Sequence, residues 1–593
     1  MAPRLTVVKV RGAGVERAAM NDLAARAHAW LAEDPDPTTR DELRALLDAG
    51  DAAGLADRFD ARLEFGTAGL RGVLGAGPNR MNRLVVLRTT AGLCAYLRAT
   101  LPDAAARGVV VGYDGRRMSR EFARDVASVL AVEGFVAHVF DDFAPTPLTA
   151  FAVKALGAAA GVMVTASHNP PEYNGYKVYW DNGAQIIPPH DVGIAAAIDA
   201  VPSVAKYLDV PASDRVRPVP DAVTARYLQG LRALSPVSDG APLTMVYTAL
   251  HGVGAKLATE VLGRWGAVHS VPEQAEPDGA FPTVAFPNPE EKGALDLAYA
   301  LATRVSADVV VANDPDADRL AVAVPRAGGW AQLSGNDVGV LLGHHLLTES
   351  DAGEGDRIVA MSIVSSPLLG VVARALGVRC EETLTGFKWI ANRALEVEAA
   401  TGARFVFGYE EALGYSVGSL VRDKDGISAA YVVTGLAASL KARGETLAGR
   451  LEQIHRRYGY FASGQRNVTA RGSDGMAAIA RTMAAFRAAP LDALVGRAVV
   501  ATRDYQHGTR TDAAGNVTPL GLPPSNVIAY ELDGGSRVML RPSGTEPKIK
   551  FYFDLREPIG AEESYSDAVA RAQGTLADAV AAFTAASLAR GGL

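Results

Sequence analysis

Short apolar runs alternate with longer stretches of helical periodicity over most of the chain. Residues 108–114 (GVVVGYD) read as a buried strand, 119–133 as the helix that follows, and 135–140 (FVAHVF) as the next strand. Residues 161–164, 245–247 and 308–312 repeat the strand pattern, each running into a turn rich in Gly, Ser, Asn or Asp. Strands alternating with helices of this length predict βαβ units and mainly parallel or mixed sheets. The modules recur without a fixed period, so a solenoid is not predicted. Residues 566–590 read as an amphipathic helix with Val569, Leu576, Val580 and Phe583 on one packing stripe. Polar stretches at 201–221, 348–356 and 464–474 are candidate linkers, which leaves a large first domain, two middle ones and a last one.

Composition narrows the class. The 593 residues are 49% hydrophobic and 21% charged, a globular balance with material for several cores. The length prior suggests roughly four domains. A net charge of −7 provides no basic surplus to neutralise a nucleic-acid backbone, but a local Arg/Lys cluster could still hold a small phosphorylated ligand. Cys94 and Cys380 fit no metal or redox spacing, which points to a reducing cytoplasm. The first ten residues lack the apolar core of a secretory signal, and no stretch approaches the roughly 20 apolar residues of a membrane span.

The stretch Thr165-Ala-Ser-His-Asn-Pro170 places Ser167 on a tight loop directly after an apolar strand. A hydroxyl lifted there is open to a reactive group, and residues 171–183 return Lys177 toward the same place. Taken alone, the loop reads first as a capped turn in which Ser167 and Asn169 bond their own backbone, and the rest of the chain argues against leaving it there. Asn313-Asp-Pro-Asp-Ala-Asp-Arg319 is the second signal. It follows a strand, at the usual ligand edge of an α/β sheet. Pro315 is expected to hold it extended so that Asp314, Asp316 and Asp318 converge. Three such carboxylates repel by about 4 kcal/mol per pair at an effective dielectric near 20, so a hard divalent cation between them is the natural partner. An EF-hand loop would want Gly at its sixth position and Glu at its twelfth, where this chain has Arg319 and Pro325, so Mg²⁺ is preferred to calcium. A solvated acidic turn is the plain alternative.

Three further segments read as ligand loops. Residues 541–548 (RPSGTEPK) offer Arg541, Ser543, Gly544, Thr545 and Lys548, donors suited to the oxygens of a phosphate. Residues 65–72 place Arg71 between glycines, free to approach a ligand. Residues 408–414 set Glu410 and Glu411 in a glycine-bounded loop that could accept hydrogen bonds from sugar hydroxyls, with a solvated loop as the alternative. Arg422-Asp-Lys424 is, by itself, a charged turn. A nucleophile, a metal site, a phosphate cradle and a polyol loop together point to phosphoryl transfer on a sugar phosphate.

With these motifs in this order, the chain resembles the α-D-phosphohexomutase family of phosphoglucomutases and phosphomannomutases, from about Phe65 to Lys548. Residues 174–185 and His251-Gly-Val-Gly254 look like the branch of phosphoglucomutase-2 and phosphopentomutase-type enzymes. The resemblance implies three mixed α/β domains and a C-terminal α+β domain around a central cleft. Their expected bounds are 1–212 with an N-terminal helical extension, 213–345, 346–465 and 466–593. It further implies that Ser167 carries a phosphate and, with Asp314, Asp316 and Asp318, holds one Mg²⁺. Lys177 would be general base or acid, with His168 beside the phosphate and Arg71 and Arg319 on its oxygens. Thr385, Gly386, Lys388, Glu410, Glu411, Arg422 and Lys424 would meet the sugar, and the 541–548 loop its distal phosphate.

The implied reaction is a mutase using glucose 1,6-bisphosphate as intermediate and activator. It would most directly convert α-glucose 1-phosphate to glucose 6-phosphate in a cytoplasmic monomer, with small sugar phosphates as the partners. Ala412, where glucose enzymes often have serine, and Leu420 and Val421, where a histidine is common, leave the sugar open. Phosphomannomutase, phosphopentomutase and bisphosphate synthase activity share the machinery. A metal-dependent phosphatase would share only the aspartates, and a non-catalytic binding protein would not need Ser167, Lys177 and all three aspartates together.

Overall fold

The computed structural model describes residues 13–66, 69–208, 210–235, 237–349, 355–470, 475–543 and 548–591. Four sheets, formed in chain order, organise it. The first runs Leu70–Val73, Tyr173–Trp180, Ala160–Val164, Val109–Tyr113, Ala137–Val139, Val216–Pro218. Its central strands are parallel and fully buried, as expected of near-continuous Val/Ala runs covered by helices on both faces. Ala160–Val164 pairs antiparallel with Tyr173–Trp180 in the register Met163↔Lys177, so the turn joining them carries Ser167 beside the lysine's own strand. The segment read as a linker at 201–221 contributes Val216–Pro218 to this sheet, past the boundary expected at residue 212.

The second sheet runs Gly329–Gln332, Leu320–Arg326, Val309–Asn313, Leu243–Thr248, Gly266–Ser270. The third runs Arg379–Thr383, Arg357–Ser362, Arg404–Glu410, Gly414–Val417, mostly parallel with one antiparallel edge. One core joins them to the first domain's helix Thr146–Leu156. It packs Leu148 and Val153 with Tyr247, Val311, Phe407 and Tyr431. That shared core fixes the first three domains against one another, so the loops at their strand ends meet in one place.

The fourth sheet is antiparallel, with Tyr460–Thr469, Lys548–Glu557 and Ser536–Pro542 at one side. Residues 464–469, read from their polarity as part of a linker, are strand here because Lys548–Glu557 supplies a partner along their whole length. Helix Tyr565–Gly591 covers this sheet, with Phe583 ring centroids 5.1 Å from Phe551 and 5.3 Å from Phe486. Its buried face is Ala568, Ala572, Leu576, Ala579 and Phe583, while Val569 and Val580 sit at the margin. Alanines let the helix lie close to the sheet, which a stripe chosen by large side chains overlooks. Ahead of the first sheet, helices Ala13–Glu33, Pro37–Asp48 and Ala52–Phe59 form a small layer, pinned by an edge-to-face contact of Trp30 and Phe59. Among the described residues, no helix is long and apolar enough to cross a membrane.

Candidate active site

Ser167 leaves its strand with φ +53°, a left-handed conformation that an L-residue adopts only when its surroundings impose it. Its N–H bonds to Thr165 Oγ1 (2.8 Å), which itself donates to Asp114 Oδ2 (2.6 Å). The hydroxyl turns away from its own backbone and donates to Asp314 Oδ2 at 2.7 Å, across the boundary to the second domain. The capped-turn alternative is thus only half the story: the backbone is capped, and the side chain reaches the aspartates. His168 Nδ1 lies 3.1 Å from the same hydroxyl. Burial, then Arg319 and Arg71, hold its pKa well below the usual imidazole value, so the ring is neutral.

Asp314, Asp316 and Asp318 are fully buried, and each offers an oxygen within 4.8 Å of the others. They converge through a tight turn rather than an extended segment. Ala317 takes φ +59° and its N–H closes on Asp314 O at 2.8 Å, which brings Asp314 and Asp318 round to one side. Burial and the two neighbouring carboxylates push Asp314 well above the usual range. For Asp316, burial is outweighed by Lys177, and its pKa is lowered. Lys177 Nζ donates to Asp316 at 2.7 Å and Asp318 at 2.8 Å, and Lys424 Nζ stands 3.2 Å from Asp318. Burial alone would depress Lys177, but the two aspartates outweigh it and keep it an ammonium.

Asp316 Oδ1 and Asp318 Oδ1 are buried without a hydrogen-bond partner. Two orphaned carboxylate oxygens beside a third carboxylate and a serine oxygen form an all-oxygen donor set, which fits a hard divalent cation. The Nε–H groups of Arg71 and Arg319 are also buried and unpartnered. Arg71 sits on Leu70–Val73 opposite Gly175, within the electrostatic reach of all three aspartates. Arg319 caps the acidic turn, its N–H on Asp314 Oδ1 at 2.9 Å.

The third domain brings its loop to the same place. Arg319 bridges to Gly414, and Glu410 Oε1 accepts the N–H of Gly386 at 2.7 Å. Burial and Glu411 raise Glu410 to about 7. Glu411 instead turns into its own domain, accepting from Ser362 and Ser365 at 3.3 and 3.2 Å. Thr385 Oγ1 is buried without a partner. Lys388 leans toward the first domain, 3.5 Å from Gly66 O, and Arg422 donates to Asn182 O at 2.7 Å, so both tie domains together. Arg541 lies opposite Lys550 in the fourth sheet, and Ser543 N–H closes the hairpin on Lys548 O at 2.7 Å. Gly544 and Thr545 lie outside the described residues. Glu290, Glu411 and Tyr552 help line a cavity of about 530 Å³ where the second, third and fourth domains meet.

Several site-building residues carried no signal that single-motif reading used. Thr146 Oγ1 donates to Asp316 at 2.6 Å, and buried Asp423 accepts from Tyr179 and Gln185 at 2.8 and 2.6 Å, which anchors Lys424's loop to the first domain. Asp114 and Arg116 follow the strand Val109–Tyr113, at the same sheet edge as Ser167. That position, a loop at the carboxyl end of a parallel strand, was the available clue.

Residues 62–204, 225–329 and 334–458 match the α/β/α domains I, II and III of phosphoglucomutase/phosphomannomutase. A probable phosphoribomutase of Schizosaccharomyces pombe is 40% identical over 89% of this chain and 92% of its own. The chain belongs to the phosphoglucomutase/phosphomannomutase family. It is thus an enzyme of the phosphomutase class, an isomerase that moves a phosphoryl group within one sugar phosphate. A probable phosphomannomutase of Haemophilus influenzae is 43% identical over 80% of this chain and 93% of its own. Phosphopentomutase of Mus musculus is 37% identical over 90% of each. The open form of Paramecium parafusin, a phosphoglucomutase, shares the fold, with a TM-score of 0.65 at 18% identity over 90% of this chain and 95% of that one.

Proposed function

We propose that this phosphomutase carries its phosphoryl group on Ser167 and exchanges it between the 1-position and the terminal hydroxyl of an aldose phosphate, through a sugar bisphosphate. The observation that carries the reading is the Ser167 hydroxyl, held 2.7 Å from Asp314 in an all-oxygen acidic site. Asp314, Asp316, Asp318 and the serine oxygen would hold Mg²⁺, which when bound supplies positive charge at the transferring group. The substrate hydroxyl forms its bond to phosphorus as the bond from phosphorus to Ser167 Oγ breaks. The attacking hydroxyl gives up its proton to solvent as that bond forms, and His168 Nδ1, 3.1 Å from the departing serine oxygen, is placed to hydrogen-bond it. Lys177 enters as an ammonium and fits the role of acid and counter-charge rather than of base. The open Nε–H donors of Arg71 and Arg319 are available to phosphate oxygens. Thr385, Gly386, Lys388, Glu410, Glu411, Arg422 and Lys424 shape the sugar side. Arg541, Ser543 and Lys548, with Gly544 and Thr545, take the phosphate that is not reacting. Glucose 1,6-bisphosphate or its pentose counterpart serves as activator. The unpaired Cys94 and Cys380 support a reducing cytoplasm.

For the sugar, a pentose 1-phosphate comes first. Similarity to a phosphoribomutase and a phosphopentomutase supports it, and Ala412, Leu420 and Val421 withhold polar groups common in glucose enzymes. Hexose 1-phosphates, including glucose 1-phosphate, are the second reading, favoured by the relative named phosphomannomutase. The test is incubation with ribose, deoxyribose, glucose and mannose 1-phosphates, Mg²⁺ and a trace of bisphosphate, following isomer against inorganic phosphate. Isomer should dominate, and fastest for ribose. Phosphate release without isomer would sink the mutase reading.

A further inference from the structure

Arg116 touches no side chain assigned above to chemistry, yet every hydrogen bond its guanidinium donates goes to the Ser167 loop. Its side chain is 0% exposed. Nη2 donates to Ser167 O at 2.6 Å and to Asn169 O, and Nη1 to Pro170 O at 2.8 Å and Tyr173 O at 3.2 Å. One guanidinium therefore gathers four carbonyls from seven consecutive residues, 167–173. Asp114 backs it, with Oδ2 3.5 Å from Nε and Oδ1 accepting the Arg116 N–H at 3.1 Å. The same Asp114 receives Thr165, which holds the Ser167 N–H, so both halves of the loop are referred to one buried ion pair.

The other face of the guanidinium belongs to the second domain. Phe281 lies over it, with the charge centre 4.9 Å from the ring centroid, and Phe281 itself is held at φ +48°. Around this contact the two domains meet backbone to backbone. A Cβ on Gly279 would stand 2.7 Å from Arg117 N, and one on Gly115 would stand 2.8 Å from Pro277 Cβ. The Phe281 loop is tied in turn to the metal loop: Asp278 N–H bonds His251 O at 3.0 Å, and Val253 N–H bonds Pro315 O at 2.8 Å. A Cβ on Gly252 would stand 2.3 Å from Pro315 Cα. A chain of contacts thus runs from the carbonyls behind Ser167, through Arg116 and Phe281, to the proline between Asp314 and Asp316.

We propose that Arg116 is a positioning residue: with Phe281 it sets the distance and aim of Ser167 relative to the three aspartates. The role rests on the mutase reading for its kinetic consequence, but not for its structural one. Lysine keeps the charge but presents its donors from a single nitrogen, and cannot span four carbonyls as a planar fork does. Arg116→Lys should lower kcat about 100-fold, the scale expected when a reacting atom is misplaced by about 1 Å. KM for the sugar phosphate should stay within about threefold, because Arg116 lies behind the loop and not on the sugar side. Phe281→Leu, which preserves an apolar cover, should lower kcat in the same direction by less. Hydrogen exchange should quicken in the peptide spanning 166–171 of Arg116→Lys, and stay as in wild type across 408–414. If Arg116→Lys keeps more than half of the wild-type kcat, or if exchange quickens equally in both peptides, the proposal is overturned. Should wild-type protein isomerise no sugar phosphate, the mutase reading fails, while the local exchange difference still decides whether Arg116 holds the loop.

Discussion

Lys177→Met removes the counter-charge of the acidic triad while nearly preserving side-chain length. Lys177 Nζ stands 2.7 and 2.8 Å from Asp316 and Asp318, all three fully buried. At an effective dielectric near 20, each contact is worth roughly 6 kcal/mol, against which desolvation costs several kcal/mol per ion. Removing one partner of such a buried pair typically costs about 3–5 kcal/mol. Lys424 remains 3.2 Å from Asp318, and Asp316 keeps the Thr146 hydroxyl and the nearby charge of Arg71, so the low end, about 3 kcal/mol, is expected. For a cooperative unit of 150–250 residues this is a fall in Tm of about 6–12 °C. The assay is thermal and urea unfolding of wild type and variant, each in chelator and in excess Mg²⁺. In chelator the variant should be markedly weaker. Mg²⁺ should stabilise it more than it stabilises wild type, because a cation replaces the missing ammonium. Equal stability in chelator would refute the counter-charge argument, and a loss that Mg²⁺ leaves untouched would assign it to packing.

Glu410, raised to about 7 from an ordinary 4.5, keeps a proton in the folded protein that the unfolded chain has released. Stability should therefore fall as pH rises from about 4.5 to about 7 and level off above it; Glu410→Gln should remove that slope in urea midpoints taken across the window. The same substitution should flatten any limb near pH 7 in kcat/KM. Arg541→Ala should raise KM for the monophosphate by about 10- to 100-fold, as expected for the loss of a charge-assisted contact, while leaving the phosphate content of Ser167 unchanged by intact mass.

The candidate site loops are legible because each breaks a strand pattern with residues that strands avoid. Ser167, the three aspartates and Glu410 all fall at strand ends, which a sequence marks locally. Two kinds of information were not local. Asp316 and Asp318 meet Lys177 only because two sheets share one core, and nothing in residues 313–319 announces that partner. The turn at Ala317 was read as extended because Pro315 suggests it, whereas tertiary contacts at Pro315 and Arg319 impose the left-handed residue. The polarity of residues 464–469 suggests a linker, but an antiparallel edge tolerates polar residues on its open face. Arg116 was invisible for the simplest reason: its function is to bind backbone, and backbone carbonyls have no signature in a sequence.

The claim that Ser167 is a standing phosphate carrier is tested most directly by intact mass and peptide mapping after incubation with sugar bisphosphate. Wild-type protein should carry one phosphoryl group, on Ser167, and lose it in a single turnover to added sugar monophosphate. Ser167→Ala should carry none and should not isomerise. Phosphate on another residue, or an alanine variant that retains most of its activity, would contradict the account.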